Sequence, residues 1–209
     1  MEHSDGEKMP SVSRLFHQHA GEPTPPDSRW PRYCSQPWPA YRFVPGVSPH
    51  PRRHPSGHSY GQGEPVLPAA DPDRWCVNDA YLFGVDLYNY AFWWECHEIF
   101  ETLWRASGTT SEPGRLFQAL IHVAAGNLKR WMGSRASADR LSKAALERFQ
   151  LMPQLYMGID IRIFARDVQA YVNGSRTAPA LIQLHAPADN AEACRLTRPL
   201  FVKDHSKLY

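Results

Sequence analysis

Asn89–Arg105, NYAFWWECHEIFETLWR, is the stretch whose reading decides the fold. Asn89 suits a helix N-cap, because its side-chain oxygen can accept a free amide hydrogen of the first turn. No Gly or Pro follows before Arg105, so the pattern predicts one helix over residues 90–105. Phe92, Cys96, Ile99, Phe100 and Leu103 recur at the three-and-four spacing that buries one side of a helix. Trp94, His97, Glu98, Glu101 and Arg105 form a second, amphipathic stripe.

Helical pattern extends on both sides of this segment. Upstream, DRWCVNDAYLF (73–83) predicts a short helix that stops at Gly84. Downstream, SGTTSEPG is a turn signal, and Pro113 suits the first turn of a helix running to Trp131. That helix is apolar nearly all round and is expected to be central. Ser137 starts another through about Leu151, and Asp160 caps a last one, IRIFARDVQAYV. The expected fold is therefore all-α, a bundle of about five helices.

The N-terminal third reads differently. Residues 1–73 hold fourteen of the nineteen prolines, which removes amide donors too often for helices or central strands. Residues 1–27 are polar and expected to be disordered. Residues 28–73 form an extended arm in which aromatics and five arginines alternate with prolines and no acid appears up to Tyr60. The bundle is assigned to residues 74–173 and a C-terminal tail, not placed by pattern, to residues 174–209. His50, His54 and His58 are evenly spaced in the arm, but flanking prolines prevent one helical face from collecting them as metal ligands. Arg52 and Arg53 are candidates for clamping a phosphate or carboxylate, while solvated basic groups on an arm wrapping the bundle are the commoner outcome.

A net charge of +2 gives no reason to expect nucleic acid as a partner. The cysteines, Cys34, Cys76, Cys96 and Cys194, contain no C-x-x-C pair and signal neither a zinc knuckle nor a disulfide framework. With no apolar leader and no run long enough to span a bilayer, the expected location is cytoplasmic and no membrane partner is expected.

The short turn between the second and third helices predicts an antiparallel hairpin that sets His97 opposite His122 and Glu101 opposite Gln118. His97, Glu101 and His122 would make a two-histidine, one-carboxylate site for one divalent metal, Zn or Fe, with Glu98 as general base. His97, Glu98 and Glu101 are thus the candidate catalytic residues. Arg105, Gln118, Arg52 and Arg53 are the candidate ligand contacts. The structural alternative is that these side chains satisfy one another and fix how two helices dock. Of Trp93, Trp94 and Trp104, at least one is expected to meet the arm or a second subunit in a homodimer.

WECHEIFETLWR, followed by RLFQALIHVAAGNLKRWMG, resembles the domain of unknown function 309 family. The resemblance rests on His97, Glu98, Glu101, Trp104, Arg105 and Gln118, and on GIDIRIFARDVQAYV as a closing helix. It implies a small helical bundle and no particular activity. Two functional readings follow: a helical module with a structural polar cluster that binds a small molecule or protein partner, or a metal-assisted hydrolase built on His97, Glu101 and His122.

Overall fold

The computed structural model describes residues 21–185, so the expected disorder of the first twenty residues and most of the tail lie outside the described residues. Residues 21–71 contain turns and bends without helix or strand. A 3-10 helix at Pro72–Val77 leads into five α-helices: α1 (Asp79–Asn89), α2 (Trp93–Ser107), α3 (Glu112–Trp131), α4 (Arg135–Phe149) and α5 (Ile161–Val172). A two-residue hairpin, β1 (Leu155–Tyr156) with β2 (Ile159–Asp160), precedes α5. The all-α expectation holds.

The boundary at Asn89 differs from the sequence reading. Asn89 is the last residue of α1, and α2 starts at Trp93 without a side-chain cap. The reason is that Asn89 is fully buried and its amide is used elsewhere. Its Nδ2 donates to the Ile182 carbonyl at 2.8 Å, and its Oδ1 accepts from the Ile182 amide at 2.7 Å. Both hydrogen-bonding groups of a main-chain unit 93 residues away are satisfied by one side chain. The α1–α2 corner then turns through Ala91, whose φ of 62° is left-handed.

Gly84 does not end a helix. It lies inside α1 because a Cβ there would sit 2.6 Å from the Phe100 ring, so its bare backbone lets α1 approach α2. Phe100 in turn stacks on Phe117 of α3 at 5.9 Å between centroids, and Tyr81 closes the same aromatic cluster. α3 starts where Ser111 accepts from the Gly114 amide, with Pro113 in its first turn. Leu116, Phe117, Leu120 and Ala124 are fully buried, which makes α3 central as its composition predicts. Asp160 caps α5 by accepting from the Ile163 amide.

The run Ala180–Leu184 is part of the fold. Tyr88 donates its hydroxyl hydrogen to the Ala180 carbonyl, Leu184 bridges Ile159, and the Leu184 amide donates to the Tyr33 hydroxyl. Ile182 has no exposed surface. Cys34 and Cys96 are buried free thiols, whereas Cys76 is disulfide-bonded, a bond the cysteine spacing did not signal. Among the described residues no helix is long and apolar enough to cross a membrane.

Candidate functional site

Two buried carboxylates hold the arm to the bundle. Asp86, in the last turn of α1, has no exposed surface. Its two oxygens accept from the amides of Tyr33 at 2.7 Å and Cys34 at 2.9 Å, with Arg32 Nε 3.5 Å away. Burial pushes its pKa up from 3.8 to about 6, and the two amides and Arg32 offset only part of that shift. Nine residues along the chain, in the first turn of α2, Glu95 is 4% exposed. Its Oε1 accepts from the Phe43 amide at 3.0 Å and lies 3.2 Å from His58 Nε2.

The arm makes a compact turn to deliver His58. The His54 amide donates to the His50 carbonyl and the Ser59 amide to the Pro51 carbonyl. A Cβ at Gly57 would lie 2.2 Å from the Pro51 oxygen, so the turn closes only around glycine. Within it, Arg52 Nε donates to Glu98 Oε1 at 3.2 Å, and Arg52 Nη1 to the carbonyls of Gln62 and Gly63. Glu95 and Glu98 stand one turn apart on α2, so His58 and Arg52 meet two carboxylates on one helical face.

Aromatic contacts extend this docking. Arg32 lies 3.9 Å above the Trp38 ring, Trp38 stacks on Phe92 at 5.3 Å, and Arg42 lies 4.2 Å from the Phe92 ring. Trp94 meets Phe43 at 4.9 Å and His50 at 5.7 Å. The expectation that one of the three tryptophans meets the arm is thus met by Trp94, while Trp93 is 3% exposed in the core.

Arm and helices line an open cleft of about 590 Å³ between them. Its polar lining includes Arg52, His58, Glu95 and Glu98, and its apolar lining includes Trp38, Phe83, Leu87 and Ile99. Glu95 Oε2 is shielded from solvent and has no hydrogen-bond partner among the described residues. A buried carboxylate oxygen without a donor is costly.

The residues singled out on the second stripe of α2 are arranged differently from the expected metal site. His97 Nε2 is 4.0 Å from Glu101 Oε2, and Glu101 is bound at 2.7 Å by Arg105. Gln118 faces α4, where its Oε1 accepts from Arg148 Nε at 2.9 Å. His122 is influenced by the same guanidinium: burial, and then Arg148, lower its pKa below 6.5. Among the described residues no group of three or more His, Cys, Asp or Glu side chains is placed to hold a metal ion. His97, Glu101 and His122 do not form such a group, and Gln118 is paired with Arg148 of α4. Glu98 is drawn to the arm by Arg52. Arg53 is exposed, and Arg105 is 58% exposed and lies 3.7 Å from Glu64.

Glu95 and Asp86 were not singled out by sequence reasoning, and His58 was noted only for its even spacing with His50 and His54. A carboxylate beside the apolar stripe, such as Glu95 next to Cys96, was the available signal, since burying it demands a partner. The partner lay 37 residues upstream in a segment without periodicity.

Comparison with known proteins gives one family. No curated protein matches the chain. The model described as domain of unknown function (DUF309) matches residues 81–141, from the first turn of α1 to the middle of α4, which leaves the arm outside the match. Over this helical segment the chain is similar to the domain of unknown function 309 family.

Proposed function

We propose that this protein is a small-ligand-binding helical module whose site is the cavity between the arm and the α1–α2 pair. The observation that carries the reading is the cleft of about 590 Å³ itself, where Arg52, His58, Glu95 and Glu98 converge on a lining that also includes Trp38, Phe83, Leu87 and Ile99. Concave sites with mostly apolar walls and a few convergent polar groups are the usual form of small-molecule sites. The volume lies within the range of such pockets, roughly 300–1,000 Å³. The rest of the polar network, Asp86 with the Tyr33 and Cys34 amides and Gln118 with Arg148, is architectural in this reading, fixing how the arm and helices dock.

The metal-assisted hydrolase on His97, Glu101 and His122 gains no support from this arrangement, since Gln118 is paired with Arg148 and Glu101 is held by Arg105. The test is a ligand-observed NMR screen of small fragments on the full chain, repeated on Ile99→Trp, which places an indole in the cavity. Fragments that bind the wild type and are lost in the variant support the reading. Binding that is indifferent to Ile99→Trp, or no binding at all, counts against it.

A further inference from the structure

We infer that Cys76 is joined to Cys194, and that the bond is a redox-sensitive clasp on the C-terminal end of the fold. The chain has four cysteines. Cys34 and Cys96 are buried free thiols, whereas Cys76 is disulfide-bonded. Cys194, which lies outside the described residues, is the one cysteine left to be its partner. The β1–β2 hairpin brings the two ends within reach of each other. Trp75, the neighbour of Cys76 in the 3-10 helix, packs so closely on Gly158 that a Cβ there would lie 2.5 Å from its ring. The carbonyl of the same Gly158 accepts from the amide of His185, the last described residue, at 2.8 Å. Cys194 follows nine positions beyond His185. Nine residues extend to about 30 Å, which is ample to return a sulfur to the 3-10 helix.

Such a bond closes a loop around the whole bundle, from the 3-10 helix before α1 to a point beyond the run Ala180–Leu184. In the chain-entropy account a disulfide stabilises by restricting the unfolded chain, and the effect grows with the length of the closed loop. The contacts it backs are those of that run: Ile182 on Asn89, and Leu184 on Ile159 and the Tyr33 hydroxyl. A dithiol reductant opens the clasp by thiol–disulfide exchange. One thiolate of the reductant attacks the S–S bond to form a mixed disulfide, and its second thiol resolves that intermediate. The reductant leaves as its own disulfide, and Cys76 and Cys194 are left as thiols.

The test begins with the full chain equilibrated in a glutathione buffer rich in glutathione disulfide, which accepts the two electrons and two protons released as the S–S bond forms. Remaining thiols are alkylated under denaturing conditions, and the chain is digested without reduction for mass spectrometry. The expected product is one linked peptide pair holding Cys76 and Cys194, with Cys34 and Cys96 alkylated. Cys76 recovered alkylated, or linked to any other cysteine, would overturn the pairing. The clasp itself is read in Cys194→Ser. Its Tm should fall about 5–10 °C below that of the oxidised wild type and match that of the wild type in dithiothreitol. Hydrogen exchange at the Leu184 and His185 amides should accelerate in step. Should the variant fail to fold, the wild type with and without dithiothreitol gives the same comparison. A linked pair whose loss leaves both the Tm and the exchange of these amides unchanged removes the clasp and leaves only the pairing.

Discussion

Replacing Asp86 by asparagine isolates the energetic cost of the arm's main anchor. The carboxylate has no exposed surface and its pKa stands at about 6 against an ordinary 3.8. Because the folded-state value is raised, the contribution of this group to stability is fully present below 3.8 and is lost as the pH rises through about 6. A shift of roughly two pKa units corresponds to about 3 kcal/mol, of which about 2 kcal/mol falls between about pH 4 and about pH 7. Asparagine does not titrate. It also offers one oxygen where Asp86 offers two, so one of the Tyr33 and Cys34 amides loses its acceptor, a cost of about 1–3 kcal/mol that does not depend on pH. Denaturant unfolding of both proteins across that pH range therefore gives a difference that moves in favour of Asp86→Asn by about 2 kcal/mol on going from acid to neutral. Titration of every other group cancels in the difference. Hydrogen exchange at the Tyr33 and Cys34 amides reports the same change at the anchor itself. Parallel stability profiles for the two proteins would refute the claim that burial of a charged Asp86 dominates its energetics.

Three further outcomes follow from the geometry. Asn89→Ala strands both main-chain groups of Ile182 inside the core and should cost about 2–4 kcal/mol in denaturant unfolding, with exchange of the Ile182 amide accelerated. Glu101→Ala removes only a partly exposed i,i+4 pair with Arg105 and a long contact to His97, so its unfolding free energy should change by less than about 1 kcal/mol. His122 should titrate by NMR with a midpoint below 6.5, moved upward in Arg148→Ala; since its folded value is depressed, the stability it contributes is present above 6.5 and is lost as the pH falls through the folded value.

Most of the helical framework was legible in the sequence because periodicity is a local signal. The central α3 with Pro113 in its first turn, the Asp160 cap and the buried positions Cys96, Phe100 and Leu103 follow from spacing and capping chemistry alone. What was misread depended on partners distant in the chain. Asn89 looks like a cap by residue type, yet its amide is consumed by Ile182, and Gly84 looks like a stop, yet it makes room for Phe100. The register estimate for the α2–α3 hairpin brought the two helices together correctly, as the Phe100–Phe117 stack records. It did not foresee that α4 would supply Arg148 and draw Gln118 away. The arm was the hardest part. Without helix or strand its conformation is set by side-chain contacts such as Phe43 and His58 on Glu95 and Arg52 on Glu98, none of which leaves a periodic trace.

The central claim, that the ligand site is the arm–helix cavity and not the stripe of His97, Glu101 and His122, is tested most directly by mapping amide chemical shifts in the full chain. Fragments from the screen and, separately, zinc would be titrated into one labelled sample. The account predicts saturable fragment shifts concentrated at residues 36–40, 58–63 and 95–99, with no saturable zinc site at His97, Glu101 and His122. Saturable zinc shifts centred on those three residues, with the cavity amides unmoved by any fragment, would contradict it.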